Sequence, residues 1–196
     1  KKLVQLDGCE VVTSLLEDNL APTEAKLAAC ATLNRLCTHD FTRARFAENG
    51  GSSKLLRCAA EHGHQNSKLA AALCSVLAQL LRHPANQEAL YQTDAIPIIA
   101  RLLETCMEDA NLVAALSTVV MRFCEADVSY QRLFDEANVS YQRLFDEAGA
   151  CAAIIQALNR HANHVRVVEE ALGALVNLCV VSEVAVHAAE LDGDIL

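Results

Sequence analysis

Apolar residues recur along the chain at i, i+3 or i+4, i+7 and i+8, the spacing that draws one stripe along an α-helix. With three prolines and seven glycines in 196 residues, little interrupts these stripes. The pattern predicts an all-α protein. Individual helices matter less than their recurrence, because a short helical hairpin that cannot bury its own face must stack on copies of itself.

Four phrases end alike: "AACATLNRLC" at Cys37, "ALCSVLAQLL" at Leu81, "ALSTVVMRFC" at Cys124 and "EALGALVNLC" at Cys179, spaced 44, 43 and 55 apart. The sixteen residues at matching steps are all apolar: Ala29, Leu33, Leu36, Cys37; Leu73, Leu77, Leu80, Leu81; Leu116, Val120, Phe123, Cys124; Ala171, Leu175, Leu178, Cys179. They predict the core. A second marker, at Gly8, Gly51, Ala95, Ala150 and Gly193, recurs at 43, 44, 55 and 43. Two landmarks thus agree on a period of 43 to 44 with one interval lengthened by eleven.

Each unit reads as a short helix, a Gly or Asp turn, a second helix and a longer third. The boundaries fall near 1–40, 41–84, 85–127 and 139–183, with a further unit beginning at 184–196. Pro22 is placed in the first turn of a third helix, Pro97 in the first turn of a second, and Pro84 at a junction between units, positions that need no backbone N–H.

The period, the three-helix unit, the glycine after the first helix and the phrase "ALGALVNLC" at 171–179 together resemble the armadillo repeat over essentially the whole chain. The resemblance implies a right-handed α-solenoid whose third helices line a concave groove for extended partner segments. Such stacks need capped ends, and neither end here carries a cap. The chain opens on Lys1 without an initiator Met and stops at Leu196, so it reads as part of something longer.

On the third helix, at about 100° per residue, Arg35 lies opposite the core position Leu33, and its equivalents are Gln79, Arg122 and Asn177. In armadillo proteins this position often carries an asparagine that hydrogen-bonds a bound peptide backbone; Asn177 alone matches. One turn earlier, where nuclear-import adaptors place tryptophan, stand Ala31, Ser75, Thr118 and Gly173. Binding of basic nuclear-localisation peptides is therefore not expected. A floor of small side chains flanked by two arginines, each able to grip a carboxylate, fits an acidic, extended protein or peptide segment. The alternative is that Arg35, Gln79, Arg122 and Asn177 are solvated helix positions.

Charge and composition narrow the function classes. Sixteen basic against twenty-five acidic residues, net −9, leave no supply of cations for nucleic acid or anionic membrane. The longest charge-free stretch, 69–81, is thirteen residues, too short to span a bilayer, and no signal peptide precedes it. Aromatics are 4% and tryptophan is absent, so the core must be Ala, Leu, Val and Cys. Nine cysteines without a C-x-x-C pair point to a reducing compartment, cytoplasm or nucleus, and their recurrence at core positions to packing rather than catalysis.

His62 with His64 and His161 with His164 fall in matching places two units apart, about 20 Å at roughly 10 Å per layer, which is too far to share a metal ion. They read as surface-loop histidines. Acidic runs such as "LLEDN" and "VVEEAL" read as solvated faces. No phosphate-cradling, dinucleotide, nucleophile-elbow or zinc-protease motif is present, so neither catalysis, a metal nor a cofactor is expected. The leading expectation is a non-enzymatic binding scaffold. The alternatives are a structural subunit of a large cytoskeletal or ciliary assembly and a regulatory solenoid of a larger enzyme. The sequence leaves the oligomeric state open.

One stretch breaks the beat: "VSYQRLFDEANVSYQRLFDEAGA" at 128–150 states one phrase twice, 127–137 against 138–148. Eleven residues are almost three helical turns and rotate a face by only about 20°, so an insertion or duplicated first helix is tolerable as added length. Near identity over eleven residues points to a recent duplication, or to one copy too many in the sequence as written. Intact-mass spectrometry separates the two: a mass that contains both copies establishes the duplication.

Overall fold

A computed structural model describes residues 8–18, 20–130 and 141–193. These form twelve α-helices and no strand: α1 Gly8–Glu17, α2 Thr23–Leu36, α3 Asp40–Glu48, α4 Gly51–His62, α5 Ser67–Leu80, α6 Pro84–Tyr91, α7 Ala95–Thr105, α8 Ala110–Tyr130, α9 Tyr141–Glu147, α10 Ala150–Arg160, α11 Val165–Leu178 and α12 Ser182–Gly193. The all-α expectation holds among the described residues.

The helix starts have local causes. Asn66 Oδ1 accepts from the Leu69 N–H at 3.1 Å, Asp109 Oδ1 from those of Asn111 and Leu112 at 2.9 and 3.0 Å, and His164 Nδ1 from that of Val167 at 3.4 Å. These caps satisfy N–H groups that a helix leaves unpaired at its first turn, and they open α5, α8 and α11 respectively. Their spacing, 43 and then 55, repeats the beat of the core landmarks. Pro22 immediately precedes α2, Pro84 opens α6 and Pro97 lies in the first turn of α7. Gly50 and Gly149 adopt φ of 63° and 84° just before α4 and α10, a left-handed turn that residues with a Cβ resist. The landmark Gly51 is required for a different reason, since a Cβ there would run into the Phe46 ring.

The chain divides into two compact units, Lys1–Ala95 and Ile96–Leu196. Inside each, a helix packs on the helix three further along. In the first unit α1 lies on α4, α2 on α5 and α3 on α6; in the second α8 lies on α11 and α9 on α12. Hydrogen bonds record the same step. In the first unit Arg57 reaches Glu17, the Cys58 thiol the Leu16 carbonyl, Asn66 the Thr23 hydroxyl and Asn86 the Arg43 carbonyl, at separations of 40, 42, 43 and 43. Across the duplicated stretch, Thr118 to Glu170, Arg160 to Glu108, His161 to Met107 and Asn177 to Met121 are separated by 52, 52, 54 and 56. Beyond it, His187 to Asp146 returns to 41.

A third contact recurs at the last residue of three of the four repeated phrases. The Arg43 guanidinium donates to the Cys37 carbonyl, the Gln87 amide to that of Leu81 and the Gln142 amide to that of Cys124. The Cys37 and Leu81 carbonyls stand at helix C-termini, where they have no partner within the helix, whereas α8 runs on past Cys124 to Tyr130.

Of the sixteen core landmarks, thirteen are buried; Leu36, Leu175 and Cys179 are half-buried. Their equivalents Leu80, Phe123, Leu33, Leu77, Cys37 and Leu81 are each fully enclosed. All three exceptions lie on α2 or at the end of α11, the first and last long helices described. Each enclosed Leu contributes roughly 1.5–3 kcal/mol, so most of the stability of either unit resides in this apolar seam.

The second copy of the duplicated phrase takes the place of a first helix. It forms α9, sets the Tyr141 and Phe145 rings edge-on to Phe123 at 5.5 and 5.6 Å, and supplies Gln142. Helix α8 runs 21 residues to Tyr130, against 14 for α2, α5 and α11. The rest of the first copy lies outside the described residues. Because α9 makes these contacts, deleting 127–137 is expected to leave one cooperative unfolding transition and unchanged helicity by circular dichroism. Loss of the transition would show that the first copy is needed for folding.

Candidate functional site

The four long helices α2, α5, α8 and α11 carry the sequence-predicted groove residues. In the first unit, Arg35 stands exposed near the end of α2, and Gln79 is half-buried on α5, accepting a long 3.4 Å hydrogen bond from Arg82. Since α2 packs on α5, the two belong to neighbouring helices of one layer pair. One turn back, Ser75 donates its hydroxyl to the Ala71 carbonyl at 2.9 Å. That internal bond takes up its single proton.

In the second unit the equivalent positions lie at the seam between α8 and α11. Arg122 pairs with Glu125 one turn on. Asn177 donates to the Met121 carbonyl of α8 at 3.3 Å, and the Thr118 hydroxyl sits 2.8 Å from Glu170 and 2.9 Å from the Ala114 carbonyl, one proton between two acceptors. A Cβ on Gly173 would stand 2.9 Å from the Met121 sulfur, so the missing side chain is what lets α11 approach. Arg122 and Asn177 are therefore neighbours through Met121. The sequence placed these residues directly opposite the core; the structure half-buries Gln79, Arg122 and Asn177 because the neighbouring long helix shields one flank. Glu125 and Glu170 were missed. Glu125 was legible as an i,i+3 partner of Arg122, whereas Glu170 depends on a contact 52 residues away.

His161 and His164 stand in the turn between α10 and α11, as the sequence suggests, but are half-buried and bonded: the His161 ring meets the Met107 carbonyl at 2.8 Å and His164 caps α11. His62 closes α4 half-buried, and burial, with Lys26 nearby, holds its pKa below the ordinary value. Of these four histidines His64 is the exposed one. No group of three or more His, Cys, Asp or Glu among the described residues is placed to hold a metal ion. No described helix is long and apolar enough to cross a membrane.

Eight of the nine cysteines are buried, Cys179 is half-buried, and none is in a disulfide. One constellation invites a catalytic reading: Asp146 lies near enough to Cys151 to raise its thiol pKa and stands 2.8 Å from His187. The order is wrong for a nucleophile. A base should take the thiol proton and the carboxylate should orient that base, but here the carboxylate stands between them and joins burial in raising the thiol pKa. A recess lined by Cys9, Thr13, Arg45, Phe46 and Gly51 holds about 20 Å³, room for one water and far below the size of a ligand pocket.

Burial raises the Cys30 and Cys37 thiols from 9.0 to about 12. In the unfolded chain these thiols lose protons near pH 9 while the native state keeps them, so the native state holds more protons and stability falls as pH rises from there towards 12. Urea unfolding from pH 8 to about 11 should show this decline, at up to ~1.4 kcal/mol per pH unit for each fully shifted thiol. A Cys30→Ala, Cys37→Ala variant is expected to decline less steeply. Equal slopes in the two proteins would contradict the assignment.

No protein-family model matches the chain, and a search of curated proteins returns no matching relative.

Proposed function

We propose that the chain is a segment of an armadillo-type solenoid that acts as a protein-binding scaffold, without catalysis of its own, holding an extended acidic segment of a partner along its long helices. The observation that carries this reading is the packing, inside each unit, of helices three apart (α1 on α4, α2 on α5 and α3 on α6; α8 on α11 and α9 on α12), with cap and core contacts in one period. Repeated layers present like residues at regular intervals, which suits an extended partner better than a compact ligand. No relative supports the reading, and it stands on geometry alone.

Charge limits the partner. Glu125 already neutralises Arg122, so a partner carboxylate must displace or share it, whereas exposed Arg35 offers its fork directly. In the first unit Arg35 and Gln79 flank Ala31 and Ser75; in the second Arg122 and Asn177 flank Thr118 and Gly173. Exposed Ala31 leaves room for a backbone to come close in the first set, whereas in the second Gly173 is already taken up by Met121.

Selection of peptides from a random display library on the purified chain tests the proposal. Enriched peptides should carry Asp or Glu, and Arg35→Glu and Arg122→Glu should each weaken them about tenfold, or ~1.4 kcal/mol. Glu125→Gln, which removes the competing carboxylate beside Arg122, should tighten them. Retention of the selected peptides by both charge reversals rules against this mode of binding.

A further inference from the structure

Three of the four long helices open alike, and the fourth inverts the arrangement. Asn66, Asp109 and His164 each accept the N–H three residues on, at Leu69, Leu112 and Val167. The next position carries an apolar side chain: Ala70 and Val113 are fully enclosed and Val168 is half-buried. On α2 the cap position is Pro22, which makes no side-chain cap, and the enclosed position is Lys26, 4% exposed. Polar and apolar roles have changed places within one turn. The Ala25 N–H, the counterpart of those of Leu69, Leu112 and Val167, meets no acceptor among the described residues. Of the acidic residues that flank Pro22 in the chain, Asp18 accepts from the Leu20 N–H at 2.9 Å and Glu24 is exposed.

Side chains on a helix lean towards its N-terminus, so the Lys26 stem runs back over the first turn of α2. Its charge is felt on α4, where it adds to burial in lowering the His62 pKa and partly offsets the rise that burial gives Cys58. The α4–α5 turn meets α2 at the same place, the Asn66 amide donating to the Thr23 hydroxyl at 3.4 Å. Four charged groups act on Cys58: Lys26, Glu61, Glu17 and Arg57. Glu17 pairs with Lys54 and Arg57, and Glu61 with Arg57. Lys26 has no ion-pair partner among the described residues. An enclosed ammonium without a counter-charge is costly, and the missing cap and the missing counter-charge fall in one turn.

We propose that the first turn of α2 and the Lys26 ammonium form a binding site for a phosphate group. One phosphate oxygen takes the place that the side-chain acceptors of Asn66, Asp109 and His164 hold on the other long helices, and accepts from the Ala25 N–H. A second meets the Lys26 ammonium. The Thr23 hydroxyl, an acceptor towards Asn66, keeps its own proton for a third. Three separate donors suit a tetrahedral group with three free oxygens better than a planar carboxylate with two. The positive end of the helix dipole adds to the attraction. The phosphate is either the free inorganic ion or a phosphoryl group carried on a side chain, and the two present the same oxygens.

Thermal unfolding of the full chain over a series of inorganic phosphate concentrations, with chloride holding the ionic strength constant, tests the site. Phosphate that binds the native state should raise the wild-type Tm progressively. N-acetyl-phosphoserine amide, used in place of the free ion, separates the two sources: a rise with it assigns the site to a side-chain phosphoryl group, and a rise with the free ion alone to inorganic phosphate. Lys26→Met keeps the enclosed stem where Ala70 and Val113 are apolar, so it should fold and bind phosphate about tenfold more weakly. Pro22→Asp supplies an acceptor of the kind that Asp109 gives α8; it should raise the Tm in phosphate-free buffer and lose the phosphate response. If Lys26→Met unfolds the chain, Pro22→Asp carries the test. The general strengthening of apolar burial by phosphate acts on all three proteins alike. An equal rise in the wild type and Lys26→Met, an undiminished response in Pro22→Asp, or no response to either phosphate compound would each overturn the proposal.

Discussion

The structure depends on one constraint: the long helices enclose their apolar stripes between the helix that precedes them in the chain and the helix three places along. The core side chains are small, chiefly Ala, Cys, Val and Leu, so each layer hides little area by itself. Enclosure of Leu33, Leu73 and Leu77 at 0% exposure requires a neighbouring layer, and stability becomes a sum over adjacent contacts. The same constraint explains where burial fails. Leu36, Leu175 and Cys179, on the first and last long helices described, are only half-buried, although their apolar equivalents are enclosed.

The polar contacts serve this stacking rather than compete with it. Asn66, Asp109 and His164 start three of the long helices, Arg43 and Gln87 take up carbonyls at the ends of α2 and α5, and Gln142 reaches the Cys124 carbonyl of α8. Different residue types fill one role at one spacing, because each position needs only an acceptor or a donor at the right height. An insertion of eleven residues passes through the array without loss of phase, as the change in hydrogen-bond separations from 40–43 to 52–56 and back to 41 shows.

Much of the fold was legible in the sequence, because helical periodicity and a repeated phrase are local signals. The three prolines fell at helix starts, and the core phrases were buried except at the ends. Gly50 and Gly149 were harder to read: the marker pointed one residue later, at Gly51 and Ala150, since a positive φ leaves no trace in an apolar pattern. The groove residues were legible as helix positions but not as contacts. That Asn177 would bind the Met121 carbonyl, or Glu170 approach Thr118, depends on how two helices 52 to 56 residues apart come together. The bond of His161 to the Met107 carbonyl was hidden for the same reason, whereas the cap that His164 places on α11 is local.

The proposed scaffold requires that equivalent helices lie side by side in register across the duplicated stretch. The most direct test places cysteines at Thr118 and Glu170 and treats the chain with a short bifunctional thiol reagent, matched to the roughly 8–10 Å between packed helix axes. Peptide mapping should recover a dominant 118–170 link, with little linkage from 118 to a cysteine at Leu172, on the other face of α11. An absent 118–170 link, or an equal yield at 172, would contradict the register on which the account rests.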